Sequence, residues 1–425
     1  MQSKKDKSCT GLLYDLLSKN STFLKRGSPS FMKFTAMHNG KTNTCWVLYF
    51  TYDLHMIKRK FTFIDLFAGI GGFHTAMHSV GGKCVFASEW DKNARLSYEA
   101  NYIESEPQLF KKGKDGQYLY FNEDINDAIP SEMPDFDICC GGFPCQPFSV
   151  AGLKRGFDDT RGTLFFNIAN IVREKVRAGH PPRVLFLENV RGLKNHDKGK
   201  TLNVILATLN ELGYDYSHEV LNAKYFGVPQ NRERLFIIAW NRELVDVDCF
   251  RFPYGIAIDG TSIYEKGLLK KGTIPTKVSE IFEPDDVTTP FTITDRMWEG
   301  HKTRKERNRM NGKGFGYSLF NANSEYTSTI SARYWKDGSE ILIDQSDKGL
   351  NPRTLTPVEA GRLQGYRIVG NGWKDPKSTN MAKAKDSRPE FKIVVSKKEA
   401  YRQFGNSVAI PVIKRLAEEI IKQLM

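Results

Sequence analysis

From residue 60 onward, hydrophobic residues fall in short runs that are separated by longer amphipathic stretches. The amphipathic stretches predict helices at Gly71–Val80, Leu164–Ala178 and Thr201–Leu212. Short strands that alternate with helices are typical of a parallel sheet covered on both faces. The pattern therefore predicts an α/β fold with a doubly wound, mostly parallel sheet. The apolar runs predict its buried strands at Phe61–Phe67, Cys84–Ser88, Phe136–Cys140, Val184–Leu187 and Leu235–Trp240.

The alternation stops near Val245 and returns near Asn351. The region between is rich in Gly, Thr, Asn, Lys and Arg, which predicts a second, smaller domain of irregular loops and small strands. Further helices are predicted at Pro357–Leu363, with Thr356 as N-cap, and at Ala409–Leu424. The predicted division of the chain is an N-terminal extension over 1–58, an α/β domain over 59–244, the irregular domain over 245–350 and a return to the first domain over 351–425, with an insertion near 370–395.

Positive charge is concentrated in three segments of this 425-residue chain, whose formal net charge is +13. Residues 1–60 hold eleven basic and three acidic residues, a balance of +8, and Arg296–Lys313 and Gly370–Arg402 each have a balance of +5. The remainder is therefore mildly acidic. Segments of this kind favour a polyanionic partner, either nucleic acid or an anionic membrane surface.

Membrane insertion and a disulfide framework are both disfavoured by the sequence. No apolar run approaches the roughly 20 residues that span a bilayer, and charged residues interrupt the N-terminus as they would not in a signal peptide. Seven cysteines without a repeating spacing indicate a reducing, cytoplasmic setting. No Cys-x-x-Cys pair is present, so no metal site is expected.

A glycine-rich turn follows the first predicted strand, at Phe67–Gly72. Gly69 and Gly71 would let a ligand approach backbone N–H groups, and Glu89 would accept hydrogen bonds from ribose hydroxyls at the end of the next strand. The spacing Gly-x-Gly-Gly differs from the dinucleotide pattern Gly-x-Gly-x-x-Gly. It favours a nucleoside ligand without pyrophosphate, S-adenosylmethionine rather than a nicotinamide.

Two later strands end in residues that can carry chemistry. Cys145 lies in a polar Gly/Pro-rich loop after the third strand, whereas Cys139 and Cys140 lie inside that strand and are predicted to be packing residues. Glu188 ends the fourth strand, where partial burial would raise its pKa. Arg232 and Arg234 precede the last strand and would face the same side, where two cations would stabilise a thiolate.

Together these motifs closely resemble those of the bacterial cytosine-5 DNA methyltransferases of restriction–modification systems. They occur in the family's order and span residues 61–412. The matching segments are Asp65–Gly72, Gly142–Gln146, Glu188–Val190, Gln230-x-Arg232-x-Arg234, Arg362–Tyr366 and Gln403–Val408.

The resemblance implies an S-adenosylmethionine-dependent methyltransferase fold and assigns roles to individual residues. Cys145 would be the nucleophile, Glu188 the acid at the cytosine ring, and Arg232 and Arg234 the groups that orient this pair. Glu123 departs from the family, which usually has Gly at this position. The residues implied to bind S-adenosylmethionine are Phe67, Gly69, Gly71, Glu89, Trp90, Asp124, Ile125, Pro144, Leu164 and Asn406.

The implied substrate is double-stranded DNA, from which the target cytosine is flipped before its methylation at carbon 5. DNA contacts are expected from Gln146, Ser149, Gln230 and Arg333, and target recognition from 245–350. A restriction endonuclease that acts on the same site is an implied partner. Two alternatives remain open, an RNA cytosine-5 methyltransferase of the same fold and a DNA-binding relative without catalysis.

Overall fold

The computed structural model describes residues 30–38, 41–49, 61–144, 164–247, 250–368 and 390–424. It separates two compact units, Met1–Arg59 and Lys60–Met425. In the first unit, strands β1 (Ser30–His38) and β2 (Lys41–Tyr49) form an antiparallel hairpin. The second unit contains all the other elements described below.

A seven-stranded sheet forms the centre of the second unit, in the order β5-β4-β3-β6-β7-β9-β8. Strands β3 to β7 pair in parallel, and β9 runs antiparallel to both of its neighbours. This mostly parallel sheet confirms the predicted fold class. Its strands are β3 (Phe61–Leu66), β4 (Gly82–Ser88), β5 (Phe121–Asn122), β6 (Ile138–Gly142), β7 (Val184–Val190), β8 (Tyr214–Asn222) and β9 (Glu233–Asn241).

The five predicted strands are all present, with ends shifted by up to three residues. Strands β5 and β8 were not predicted. β8 lies at the edge of the sheet and is buried only in part, so its sequence lacks the continuous apolar run of its neighbours.

Helices cover both faces of this sheet. Successive strand residues point to opposite faces, so Phe63 packs in one hydrophobic cluster and Ile64 in the other. α1, α2 and α10 contribute to the first cluster, and α3 and α4 to the second. These helices are α1 (Gly72–Ser79), α2 (Lys92–Tyr102), α3 (Leu164–Arg177), α4 (Lys200–Glu211) and α10 (Ile410–Leu424).

The region over 250–350 consists mainly of loops and very short elements, as the sequence predicts. Its strands and helices are β10 (Gly255–Ile256), β11 (Ser262–Ile263), α5 (Leu269–Gly272), α6 (Asp285–Thr288), α7 (Asp295–Met310), β12 (Leu319–Phe320) and β13 (Leu342–Ile343). The structure keeps Lys60–Met425 in one compact unit, so the inner domain boundaries remain predictions.

The basic segment Arg296–Lys313 was wrongly predicted to be a loop. Most of it forms the 16-residue helix α7, whose N-cap Thr294 accepts a hydrogen bond from the Met297 amide. Only His301 of this helix is buried. A helix that is polar on all sides has no apolar stripe, so hydrophobic periodicity could not reveal it.

The chain returns to the α/β core through strand β14 (Arg353–Thr354) and helix α8 (Pro357–Leu363). α8 has the predicted ends, and Thr356 and Glu359 form a capping box at its start. Helix α9 (Lys397–Asn406) was not predicted. Within the described residues, no helix is both long and apolar enough to cross a membrane.

Candidate active site

A cleft of about 780 Å³ opens at the carboxyl ends of β3, β4, β6 and β7. This is the edge of an open α/β sheet at which ligands bind. Twelve sequence-predicted site residues line the cleft, namely Phe67, Gly69, Glu89, Trp90, Asp124, Ile125, Pro144, Leu164, Glu188, Arg232, Arg234 and Asn406. Cys145, Gln146 and Ser149 lie outside the described residues.

The glycine turn is tightly wound. Phe67, Gly69 and Gly71 all have positive φ values, of 56°, 55° and 79°. Such a value is costly for a phenylalanine, and positions of this kind concentrate at functional sites. Phe67 and Gly69 of this turn line the cleft.

Gly71 does not line the cleft, contrary to its predicted role in cofactor binding. A Cβ atom at this position would lie 2.3 Å from Cε2 of Tyr102, and the Tyr102 hydroxyl donates a 2.7 Å hydrogen bond to the Gly71 carbonyl. Gly71 is therefore needed for close packing of the turn on α2.

Glu89 ties the end of β4 to the glycine turn. Its Oε2 accepts a hydrogen bond from the Gly69 amide and its Oε1 one from the Asp91 amide, both at 2.8 Å. Burial raises the pKa of Glu89, and the two amide bonds oppose that shift. The neighbouring Trp90 indole is 83% exposed and forms part of the cleft wall.

Polar side chains after β5 also line the cleft. Asp124 accepts hydrogen bonds from the backbone and side-chain amides of Asn126, whose side-chain oxygen accepts one from Asn167. The sequence analysis did not identify Asn126 or Asn167, because neither belongs to a motif. The unusual Glu123 forms a 2.8 Å ion pair with Arg95, which compensates its charge.

Glu188 and Arg234 form an ion pair at the base of the cleft. Glu188 Oε1 lies 3.0 Å from Arg234 Nε, and both side chains are largely buried. Burial raises the pKa of Glu188, against the opposing effect of Arg234 and Arg232. Next to it, the Asn189 side chain donates a 2.8 Å hydrogen bond to the carbonyl of Phe143, two residues before Cys145 in the sequence. The sequence analysis matched Asn189 to a motif without assigning it a role.

Arg232 holds chain segments together although it also reaches the cleft. Its guanidinium donates hydrogen bonds to the carbonyls of Ile330, Gly405 and Ser407, at 3.3, 3.2 and 2.5 Å. The group is 2% exposed, and burial lowers its pKa well below the usual range. Both arginines line the cleft and both lower the pKa of Glu188, so they face the same side as predicted, while Arg232 also joins distant segments.

Gln230 is fully buried, which contradicts its predicted contact with DNA. Its amide donates to the Leu363 carbonyl at 3.0 Å and accepts from the Ile330 amide at 3.1 Å. A side chain in this position joins segments of the protein.

Arg333, in contrast, is exposed in a turn after Ile330. The turn begins at Ala332, and the Arg333 amide donates a 3.1 Å hydrogen bond to the Ser331 hydroxyl.

Comparison with known proteins agrees with this arrangement. Residues 61–422 match the profile of the family described as C-5 cytosine-specific DNA methylase. The chain is 46% identical to the Type II methyltransferase M.SsoII of Shigella sonnei, over 86% of this chain and 81% of that protein. It is also 46% identical to the Type II methyltransferase M.NlaX of Neisseria lactamica, over 85% of this chain and 96% of that protein.

Solved structures show the same fold at low sequence identity. A Spodoptera frugiperda DNMT2 mutant superimposes with a TM-score of 0.59 at 19% identity, over 85% of this chain and 99% of that chain. The matching family is described as a DNA methylase, and an Escherichia coli relative at 35% identity is named DNA-cytosine methyltransferase, so the RNA alternative is not favoured. The chain belongs to the C-5 cytosine-specific DNA methylase family and is a DNA cytosine-5 methyltransferase, which transfers a methyl group from a donor to DNA.

Proposed function

We propose that the methyl donor is S-adenosylmethionine and that the cleft holds it between the glycine turn, Glu89 and Asp124. The exposed Trp90 indole offers an aromatic face to an adenine, and the carboxylates of Glu89 and Asp124 retain lone pairs for hydroxyl and amine donors. S-adenosylmethionine contains no pyrophosphate, which agrees with a glycine turn that lacks the dinucleotide-binding spacing. When bound, S-adenosylmethionine supplies an electrophilic methyl group on a sulfonium.

Cytosine is a poor carbon nucleophile, so we propose that Cys145 and Glu188 activate it together. The Cys145 thiolate adds to carbon 6 while the carboxyl of Glu188 shares a proton with ring nitrogen 3, and the ring electrons move to carbon 5. Carbon 5 takes the methyl group and then loses its proton. The electrons of that C–H bond restore the ring double bond and expel the thiolate. Arg234 keeps the Glu188 carboxyl directed into the cleft.

The observation that carries this proposal is the Glu188–Arg234 pair, placed in the same cleft as the glycine turn. A methylation assay on duplex DNA that contains 5-fluorocytosine tests it. Fluorine cannot leave carbon 5 as a cation, so a covalent protein–DNA complex should accumulate and should require S-adenosylmethionine. Methyl transfer to ordinary DNA without trapping on the fluorinated duplex would refute the covalent step but leave the donor assignment standing.

We also propose that the chain recognises its target sequence through 245–350, and that Gln146, Ser149 and Arg333 contact the DNA. The exposure of Arg333 and the polar surface of α7 support this assignment.

A cognate endonuclease that cuts the same site is proposed as a partner, because several relatives are named Type II methyltransferases. The cytoplasm is the proposed location. Bisulfite sequencing of plasmid from cells that express the chain would identify the methylated site. Protection of that plasmid from cleavage by the endonuclease would test the proposed partner.

A further inference from the structure

Two histidines and a glutamate meet at a place that is separate from the cleft. His74 and His78 are one turn apart on α1, and Glu106 follows the end of α2. One nitrogen of each imidazole and one carboxylate oxygen all lie within 4.8 Å of one another. The distance from His78 Nδ1 to Glu106 Oε1 is 3.6 Å. None of the three residues lines the cleft.

His74 is fully buried, and only one of its ring nitrogens has a hydrogen-bond partner in the described part of the chain. Its Nδ1 lies 2.7 Å from the Tyr98 hydroxyl, which donates its own proton to Asp65 Oδ2 at 3.4 Å. In the tautomer with its proton on Nδ1, His74 donates this hydrogen bond to the Tyr98 oxygen. In this tautomer Nε2 has a free lone pair, in a position where an unpaired polar atom is costly.

Glu106 and His78 supply the other two donor atoms of the cluster. Glu106 is 4% exposed, and its Oε2 accepts a hydrogen bond from the Gln108 side-chain amide. Its Oε1 faces His78, whose side chain is 46% exposed. The cluster thus has a buried base and one side that opens to solvent, which gives a small ion a path of entry.

We propose that His74, His78 and Glu106 form a binding site for a divalent metal ion of the zinc class. Two imidazoles and one carboxylate are a donor set that zinc accepts, with a water molecule as fourth ligand. The i, i+4 spacing of the histidines places both on one face of α1. The chain from His74 through Tyr98 to Asp65 would fix the ligating tautomer, as hydrogen-bonded partners of metal ligands commonly do.

The sequence predicts no metal site, because it contains no Cys-x-x-Cys pair. These ligands give no local motif, since Glu106 is distant from the histidines in sequence and reaches them only through the packing of α2 on α1. The metal would also support the cofactor cleft. The His74 ring stacks on Tyr102 with 3.9 Å between ring centroids, and Tyr102 holds the Gly71 carbonyl.

Zinc binding to the full-length chain, stripped with a chelator, tests this proposal. Competition with a chromophoric chelator should show one site that weakens at least tenfold in His78→Gln and in Glu106→Gln. Added zinc should raise the melting temperature of the unsubstituted chain and leave that of His78→Gln unchanged, because only the native state binds the ion. His180→Gln is the matched control, since this histidine is also exposed and also paired with a carboxylate, Asp135.

Cobalt(II) distinguishes this site from binding to the seven cysteines of the chain. Ligation by nitrogen and oxygen should give visible d–d absorption that His78→Gln removes, without a thiolate-to-cobalt charge-transfer band. The proposal is overturned if both variants bind zinc like the unsubstituted chain, or if the only cobalt spectrum is that of thiolate ligation. Binding by the chain and by His180→Gln, with loss in both site variants, supports it.

Discussion

The Arg234 guanidinium lies 3.0 Å from the Glu188 carboxylate, at the end of β7 and below the cleft. The two residues are neighbours because β7 and β9 are antiparallel, and this register pairs Val190 with Arg234. A buried acid is thereby held next to a cation, in a position from which it can share a proton with a bound base.

Replacement of Glu188 by Gln should reduce kcat by roughly 100-fold or more, the usual contribution of a general acid. Burial raises the pKa of Glu188, so activity that depends on its proton should fall as pH rises through that raised pKa. Methylation rates across a pH series would show this limb, and Glu188→Gln should lack it. Glu174→Gln is the control because Glu174 is 40% exposed, is paired with Arg177 and does not line the cleft. An identical pH profile in both variants would contradict the role of Glu188.

The raised pKa of Glu188 also predicts how the free energy of unfolding depends on pH. The native state binds the Glu188 proton more tightly than the unfolded chain does, because the pKa is raised on folding. This contribution to stability is complete below the unfolded value of about 4.3 and is lost as pH rises through the folded pKa. Urea unfolding of the Glu188→Gln variant should therefore have a weaker pH dependence than that of the unsubstituted chain over this window.

Arg232→Ala should lower the free energy of unfolding by about 3 kcal/mol, because three carbonyls lose a buried charged donor. Chemical denaturation measures this change. The control is Arg177→Ala, whose exposed side chain forms a surface ion pair with Glu174 and should change stability by less than about 0.5 kcal/mol. Equal stability of the two variants would show that the Arg232 bonds contribute little.

Glu89→Gln should weaken S-adenosylmethionine binding about 10- to 100-fold. A glutamine directs an NH₂ group toward one of two backbone amides, which breaks a hydrogen bond and displaces the glycine turn. Titration calorimetry measures the affinity. Asp115→Asn, at an exposed turn outside the cleft, should leave it unchanged.

Cys145→Ser should abolish methyl transfer while S-adenosylmethionine binding survives, because the groups proposed to hold the cofactor, the glycine turn, Glu89 and Asp124, follow other strands. A labelled-methyl assay and calorimetry measure the two quantities separately. Cys139→Ala is the control, since Cys139 is fully buried in β6 and burial raises the pKa of its thiol. Substantial turnover by the serine variant would refute the nucleophile assignment.

Arg333→Ala should cost about 1–3 kcal/mol in binding and relax the sequence preference at one base position. Methylation rates on a set of duplexes with single-base changes would measure the change in sequence preference. Exchange of 245–351 with the same region of a relative of different target should transfer the target sequence. An active chimera that keeps its original site would place recognition elsewhere, most directly in the basic segment Gly370–Arg402.

Local signals in the sequence were sufficient for much of the fold. Apolar runs identified the five buried central strands, since strands covered on both faces need nonpolar residues at every position. Thr356 and Glu359 marked the start of α8 because a capping box involves only residues three apart. The motif-bearing strand ends also indicated where the cleft would lie, because parallel strands end at one edge of the sheet.

The tertiary structure alone decided the tasks of several side chains. Arg232 contacts carbonyls 98 and 173 residues away, and no local pattern distinguishes such a buried clamp from a cation at the site. Gln230 is likewise buried, with hydrogen-bond partners in segments about 100 and 133 residues away in the sequence. The polar helix α7 and the partly buried edge strand β8 lack a hydrophobic period. Sequence patterns report burial and local hydrogen bonding, whereas the partner of a buried polar group depends on which distant segments pack against it.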